Sequence, residues 1–186
     1  MKFSGAVLTG GRSTRMGRDK ALVDVDGRPL AAIARDALVG AGATEVLAIG
    51  GDPVELANLG FRVVADGWPG EGPLGAVVTA LSAADEAVVV VLACDLPDVV
   101  PATVSAVLAG LGDADVGVPR VDGRFEVLVA AYRRVCLDSL AASRAAGERS
   151  LRRAIVPLKV AIVELADPES VRNANRPADL GPGTLS

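Results

Sequence analysis

Seven apolar residues in a row, Ala87 to Ala93, with four consecutive valines among them, set the first limit on the fold. A strand with one face in water alternates apolar and polar residues, whereas a run that is apolar at every position needs cover on both faces. The run is short and β-branched, which suits an extended chain better than a helix. It stops abruptly at Cys94-Asp95-Leu96-Pro97. The expectation is a central parallel strand, covered by helices on each side, that delivers Asp95 at its carboxyl end.

The rest of the chain reads as repeated strand and helix units around that strand. Phe3 to Thr9 is a short apolar run closed by Gly10-Gly11, and Asp26-Gly27 marks a turn. Pro29 stands where a first helical position would be, and Leu30, Ile33, Ala34, Ala37 and Leu38 recur at helical spacing until Gly40 and Gly42. Strands are expected at Val46 to Ile49, Arg62 to Ala65, Ala114 to Pro119, Phe125 to Ala131 and Val160 to Glu164. Helices are expected at Val54 to Asn58, Leu74 to Ala84, Pro101 to Leu111 and Arg133 to Ala146. Half the residues are hydrophobic (51%) but only 3% are aromatic, so the core is built from Val, Leu, Ile and Ala.

These units, joined by right-handed crossovers, predict an α/β fold: a three-layer sandwich around a Rossmann-like, mostly parallel sheet. With 186 residues the chain is read as one domain over 1–180 with a frayed tail at 181–186. In such sheets ligands bind outside the carboxyl ends of the strands, and Gly10, Asp66 and Asp95 all stand at such ends.

Charge and composition exclude several functions. A net charge of −4 argues against a sequence-independent grip on nucleic acid. No apolar run approaches the roughly 18 residues needed to cross a bilayer, and the N-terminal residues read as a strand where a signal peptide would need charged and apolar regions, so no membrane partner is expected and the chain is read as cytoplasmic. Cys94 and Cys136 show no metal-binding spacing and are read as reduced core thiols. Locally, however, Arg12, Arg15, Arg18 and Lys20 place four cations in nine residues. An acidic chain with one concentrated basic loop points to a small anionic ligand.

That loop is Leu8-Thr9-Gly10-Gly11-Arg12-Ser13-Thr14-Arg15-Met16-Gly17-Arg18-Asp19-Lys20. Its glycines let backbone N–H groups face anionic oxygens, and Arg15 and Lys20 add full charges. It is neither a P-loop, which needs Gly-Lys-Ser/Thr, nor a G-x-G-x-x-G turn.

The run from Leu8 to Leu22 resembles the signature of the molybdenum cofactor guanylyltransferases, L-A-G-G-x-S-x-R-M-G-x-D-K-A-L, departing from it only at Thr9. The similarity continues through Gly72-Pro73-Leu74-Gly75, Ala93-Cys94-Asp95-Leu96-Pro97 and Asn173-Ala174-Asn175-Arg176-Pro177. The resemblance implies a fold of the nucleotide-diphospho-sugar transferase type and transfer of GMP from GTP to molybdopterin or molybdenum cofactor, with release of pyrophosphate. It implies nucleotide contacts at Leu8, Thr9, Gly10, Gly11, Lys20, Asp66, Gly72 and Asp95, and acceptor contacts at Asn173 and Asn175. It also implies transient contact with other proteins of cofactor synthesis. Arg15, Lys20 and Asp95 would be catalytic, with Asp95 holding Mg2+. Arg176, where the family often has Thr, and the missing proline ahead of Leu128 set the acceptor side apart from the family pattern.

The chemistry is consistent with the residues. Attack on an α-phosphorus gathers charge on phosphate oxygens, which positioned amides, cations and a divalent ion stabilise. Mg2+ takes hard oxygen ligands, often one or two carboxylates plus substrate phosphates, and Asp95 is the best-placed carboxylate; its other reading is a cap on the turn before Pro97. The chain has no histidine. A phosphate monoester nucleophile is already mostly dianionic at neutral pH, so none is required. Trp68 is expected either to pack over the site or to plug the edge of the core. Arg144, Arg149, Arg152, Arg153 and Lys159 read as a solvated basic face or, alternatively, as a rim for an anionic cofactor. The rival functions are a cytidylyltransferase on the same pterin, a phospholactate guanylyltransferase and a nucleotide-binding regulator without turnover.

Overall fold

The computed structural model describes residues 1–10 and 20–174. In chain order the strands and helices are β1 (Ser4–Leu8), β2 (Asp24–Val25), β3 (Arg28–Pro29), α1 (Leu30–Gly40), β4 (Val46–Ile49), α2 (Pro53–Asn58), β5 (Arg62–Val64), α3 (Pro73–Ala83), β6 (Val88–Ala93), α4 (Pro101–Leu111), β7 (Val116–Val121), β8 (Arg124–Phe125), β9 (Val129–Arg133), α5 (Cys136–Ala145), α6 (Leu151–Ala154) and β10 (Val160–Val163). Short 3-10 turns at Lys20–Leu22 and Pro168–Val171 complete the described elements.

The main sheet has the order β10-β7-β9-β6-β1-β4-β5, with β8 hydrogen-bonded to β7. Strand β9 runs antiparallel to both β6 and β7, while the other neighbours on this path are parallel. The chain moves outward from β1 to β4 and β5, then returns to β1's other side as β6. That reversal of direction opens a crevice at the carboxyl ends, where open α/β sheets bind ligands.

The valine strand behaves as its composition demands. Val88, Val90 and Leu92 pack on one side with Ala34 and Leu38 of α1 and Val104 and Val107 of α4. Val89 and Val91 pack on the other with Val77 and Leu81 of α3 and Leu140 of α5. Every residue of β6 is buried, and fully burying such a side chain stabilises by roughly 1.5–3 kcal/mol. The expected three layers are therefore present.

Four local expectations need correction. Pro29 is the N-cap of α1, not its first residue, because it also pairs with Asp24 across the β2–β3 hairpin. Helix α2 starts at Pro53, one residue early, because the Asp52 carboxylate accepts the amides of Val54 (2.9 Å) and Glu55 (3.0 Å). The strand expected from Phe125 is interrupted: Val129 N donates to Glu126 O at 2.9 Å, a turn that separates β8 from β9. Helix α5 begins at Cys136 instead of Arg133, since Arg133 still belongs to β9. The hairpin turns Asp26-Gly27 and Asp122-Gly123 both take positive φ at their two central residues, the pattern that matches strand twist in two-residue hairpins.

Candidate active site

A cavity of about 410 Å3 opens at the carboxyl ends of β1, β5 and β6. Its lining brings together Leu8, Thr9, Gly10, Lys20, Asp66, Gly72 and Asp95, which lie up to 87 positions apart in the chain (95 − 8). Gly11 and Arg15 lie outside the described residues. The wall also includes Gly70 and Ala76, which sequence reasoning did not single out, together with Pro73, part of the Gly72-Pro73-Leu74-Gly75 motif, and Leu128, where the family pattern is departed from. Pro73 and Ala76 follow from the position of α3, whose first turn faces the cavity.

At the end of β1 the backbone is pulled toward β4. The amides of Thr9 and Gly10 both donate to Ile49 O, at 3.1 and 2.8 Å, and the Thr9 hydroxyl donates to Gly50 O at 2.8 Å. The expectation that amides here face a ligand is thus not met at Thr9 and Gly10; those donors are committed to the neighbouring strand. Leu8 is buried by its side chain as well. The close approach of the two strand ends excludes side chains: a Cβ on Gly50, whose φ is +76°, would lie 2.9 Å from Gly10 Cα. With no side chain between them, the two glycines leave the floor of the cavity to backbone and to Asp66.

Asp95 lies just past β6, beyond Cys94, and its Oδ2 accepts a hydrogen bond from Lys20 Nζ at 2.7 Å. Lys20 opens the 3-10 turn whose Ala21 is buried in the core, so the base of the lysine is anchored. Both side chains of the pair keep about a fifth of their surface exposed (20% and 18%), so water screens them only in part. Asp95 O also accepts the Ala174 amide at 2.9 Å, which fastens the segment carrying Asn173 to the same turn.

Asp66 stands in the loop between β5 and α3. Its Oδ1 accepts the Trp68 amide at 3.0 Å, as a turn residue does, while the residue lines the cavity beside Gly10. Beyond it the loop reaches Gly72, the N-cap of α3, with no side-chain hydrogen bond capping the helix and Pro73 at the first position. An uncapped helix start carries unpaired amides and a partial positive charge, both suited to an anion.

A second, smaller cavity of about 230 Å3 adjoins the first and shares Pro73 and Leu128 with it. Asn173 lines it together with Arg149, Ser150 and Arg152. Asn173 is absent from the first cavity's lining, and Asn175 lies outside the described residues. The basic run is divided by this geometry. Arg149 and Arg152 face the second cavity, Arg153 pairs with Glu148 at 2.8 Å, and Lys159 pairs with Asp113 at 2.6 Å. Trp68 packs against the core on the α3 side with the Arg144 guanidinium 3.9 Å from its ring centroid, so it plugs the core edge. The cysteines also differ: Cys136 is buried, but Cys94 is half-buried and lines the first cavity, which corrects its reading as a core thiol.

Residues 5–161 match the model of the MobA-like NTP transferase domain. The chain belongs to this family. It is 34% identical over 97% of its length to a "Probable molybdenum cofactor guanylyltransferase" from Chloroflexus aggregans, covering 92% of that relative. A protein of the same description from Thermococcus gammatolerans is 37% identical, over 95% of this chain and 96% of the relative. Among solved structures, the molybdopterin-guanine dinucleotide biosynthesis protein A of Archaeoglobus fulgidus superposes with a TM-score of 0.76 at 24% identity, covering 97% of this chain and 95% of that one, which shows the shared fold.

As a member of this nucleotidyltransferase family the chain presents a sparse set of metal donors. Among the described residues no group of three or more His, Cys, Asp or Glu could enclose a metal ion. Among the described residues, Asp66 and Asp95 are the carboxylates that line the first cavity. One or two carboxylates fit a magnesium ion that completes its shell with phosphate oxygens and water, not an ion caged by protein alone. No helix among the described residues is long and apolar enough to cross a membrane.

Proposed function

We propose that this chain transfers GMP from GTP to the terminal phosphate of molybdopterin, with release of pyrophosphate. The observation that carries the reading is the pair of adjoining cavities. One holds Lys20, Asp66, Asp95 and the start of α3; the other holds Arg149, Arg152 and Asn173; and they meet at Pro73 and Leu128. A layout for two anionic ligands in contact suits group transfer between them better than it suits a single-ligand regulator. The guanine and molybdenum cofactor assignments are supported by the relatives that align over nearly the whole chain, which are described as probable molybdenum cofactor guanylyltransferases.

In this mechanism the triphosphate lies along the first cavity. Lys20 and the amides at the start of α3 offset its negative charge, and Asp95 together with Asp66 would hold Mg2+. Bound there, the ion would supply Lewis-acid stabilisation of phosphate oxygens. An oxygen of the acceptor phosphate forms a bond to the α-phosphorus while the bond from that phosphorus to the α–β bridging oxygen breaks, and pyrophosphate takes the electron pair. A dianionic phosphate brings its own nucleophilic oxygen, so the absence of histidine from the chain is no obstacle. Arg149 and Arg152 hold the acceptor, and Asn173 offers its amide to pterin or phosphate oxygens.

The test is incubation of the protein with molybdopterin, GTP and Mg2+, followed by mass detection of the dinucleotide. Thermal shifts with GTP, CTP and ATP, each with and without Mg2+, test the base choice separately. Stabilisation by CTP alone would overturn the guanine assignment. Absence of product with every nucleotide would overturn the acceptor.

A further inference from the structure

We propose that Arg144, outside both cavities, is a positioning residue that sets the shape of the nucleotide cavity by pinning the loop between Asp66 and Gly72. The inference rests on the reading of the first cavity as the nucleotide site. The loop contributes Asp66, Gly70 and Gly72 to that cavity. Its sequence, Asp66-Gly67-Trp68-Pro69-Gly70-Glu71-Gly72, contains three glycines and one proline and has little intrinsic preference for one conformation. What holds it in one place must be its contacts.

Asp66 Oδ1 accepts the Trp68 amide, Trp68 O the Glu71 amide and Thr79 Oγ1 the Gly67 amide, and further contacts are made by Trp68 and Glu71 with α3, α5 and Arg149. At its base, Trp68 lies against the first turn of α3, where a Cβ on Gly75 would be 3.0 Å from Trp68 Cβ. Over its ring lies the guanidinium of Arg144, from the last turn of α5, 3.9 Å from the centroid. The same guanidinium reaches toward Glu71, with Nη2 3.7 Å from Glu71 Oε2, and Arg149 Nη2 approaches that oxygen to 3.4 Å. Glu71 Oε2 and Arg144 Nε are buried atoms with no hydrogen-bond partner among the described residues. Those two atoms and the Arg144 side chain are shielded from water, while the Glu71 and Arg149 side chains stay 39% and 49% exposed, so the stack of Arg144 on Trp68 is the better protected part of a cluster held by charge and stacking. Arg149 Nη1 also donates to Arg144 O at 3.2 Å, which ties the clasp to a residue of the second cavity.

Arginine is suited to this place where lysine is not. Its planar guanidinium can lie flat on the indole and still present nitrogen toward Glu71, whereas an ammonium group is a compact charge without that plane. Without the clasp the loop would sample more arrangements, and the nucleotide would bear the ordering cost on binding. The chemical step would be less affected, because Arg144 touches none of the reacting groups.

The chain's one tryptophan makes the clasp measurable, because all indole emission comes from Trp68. Acrylamide quenching of the unliganded protein, calorimetric titration with GTP and Mg2+, and steady-state kinetics would be compared among wild type, Arg144→Met, Arg144→Lys and Arg153→Met. The last variant removes an exposed cation paired only with Glu148 among the described residues and serves as the control. The expected result for Arg144→Met is a quenching constant higher by about twofold and GTP binding weaker by about tenfold, equivalent to ~1.4 kcal/mol. KM for GTP should rise with the dissociation constant while kcat stays within about twofold, and Arg144→Lys should recover part of the loss. Arg144→Lys decides the matter if Arg144→Met does not fold. Wild-type binding and quenching in a folded Arg144 variant would overturn the clasp alone. Failure of the wild-type protein to bind any nucleoside triphosphate would instead overturn the nucleotide reading beneath it.

Discussion

Lys20 Nζ and Asp95 Oδ2 meet at 2.7 Å across the mouth of the first cavity, although 75 positions separate them in the chain. The lysine comes from a 3-10 turn after the first strand and the carboxylate from the end of β6. Each offsets the other's charge.

Replacing either partner should therefore injure turnover far more than folding. For Lys20→Ala and Asp95→Asn we expect GMP transfer to fall by about 10²–10³-fold or more, while the loss of a partly exposed ion pair should cost about 1 kcal/mol or less of stability. Pyrophosphate release and urea midpoints would be measured on the same preparations. Near-normal release from either folded variant would remove the roles given to this pair.

Gly50→Ala tests the close approach of the chain beyond β1 and β4. The new methyl would stand 2.9 Å from Gly10 Cα on a backbone with φ of +76°, and strain of this kind costs on the order of 1–3 kcal/mol. We expect a lower urea midpoint and weaker GTP binding, because Gly10 and Asp66 would have to shift together. An unchanged midpoint would show that the approach is more tolerant than its geometry implies.

The two thiols should separate cleanly under native conditions. The Cys136 thiol is pushed up to about 11 by burial, with the nearby Asp115 adding to the effect, whereas Cys94 lines the cavity. A disulfide reagent should titrate Cys94 alone, and GTP with Mg2+ should slow the reaction. Cys94→Ser should abolish the fast phase; a fast phase that survives would contradict the assignment.

Glu148 predicts a specific acid sensitivity. The Arg153 guanidinium, followed by the amides of Ser150 and Arg149, lowers its carboxyl from 4.5 to about 2. A depressed pKa means that its stabilising contribution is complete above the ordinary value and is lost as pH falls from 4.5 toward about 2. Glu148→Gln should lower the urea midpoint near neutral pH and flatten its decline through that window. A decline as steep in the variant as in wild type would assign the acid sensitivity to other carboxylates.

What the sequence reveals and what it withholds follow from the range of each interaction. The valines of β6 specify burial on both faces without reference to any other segment, and the layers on either side follow. Gly10, Asp66 and Asp95 could be placed at one edge because each ends a strand and parallel strands share a ligand edge. The reversed direction of β9 depends on pairing with β6 and β7, which no local pattern encodes. Its predicted start at Phe125 failed because the Glu126 to Val129 turn interrupts an apolar stretch. The Asp122-Gly123 hairpin, by contrast, carries a readable turn signal, but strands β2, β3 and β8 are too short to show alternation. At the site, the direction of the Thr9 hydroxyl and the capture of the Thr9 and Gly10 amides by Ile49 O depend on β4 packing alongside. The division of Arg144, Arg149, Arg152 and Arg153 among different partners depends on how α5 and α6 are set against the loops.

The reversed strand also affects how substrate scope can change. Because β9 runs against its neighbours, its beginning arrives at the ligand edge, and Ala93 N donates to Leu128 O at 2.8 Å. Leu128, which the two cavities share with Pro73, comes shortly after the β7–β8 hairpin that pairs Val121 with Arg124. Lys20, Asp66 and Asp95 all precede that hairpin in the chain, whereas Arg149, Arg152 and Asn173 follow it. Arg144, whose guanidinium covers Trp68 in the loop before α3, follows it too, so sequence exchanged downstream of the hairpin would rebuild the second cavity and reset one wall of the first at the same time.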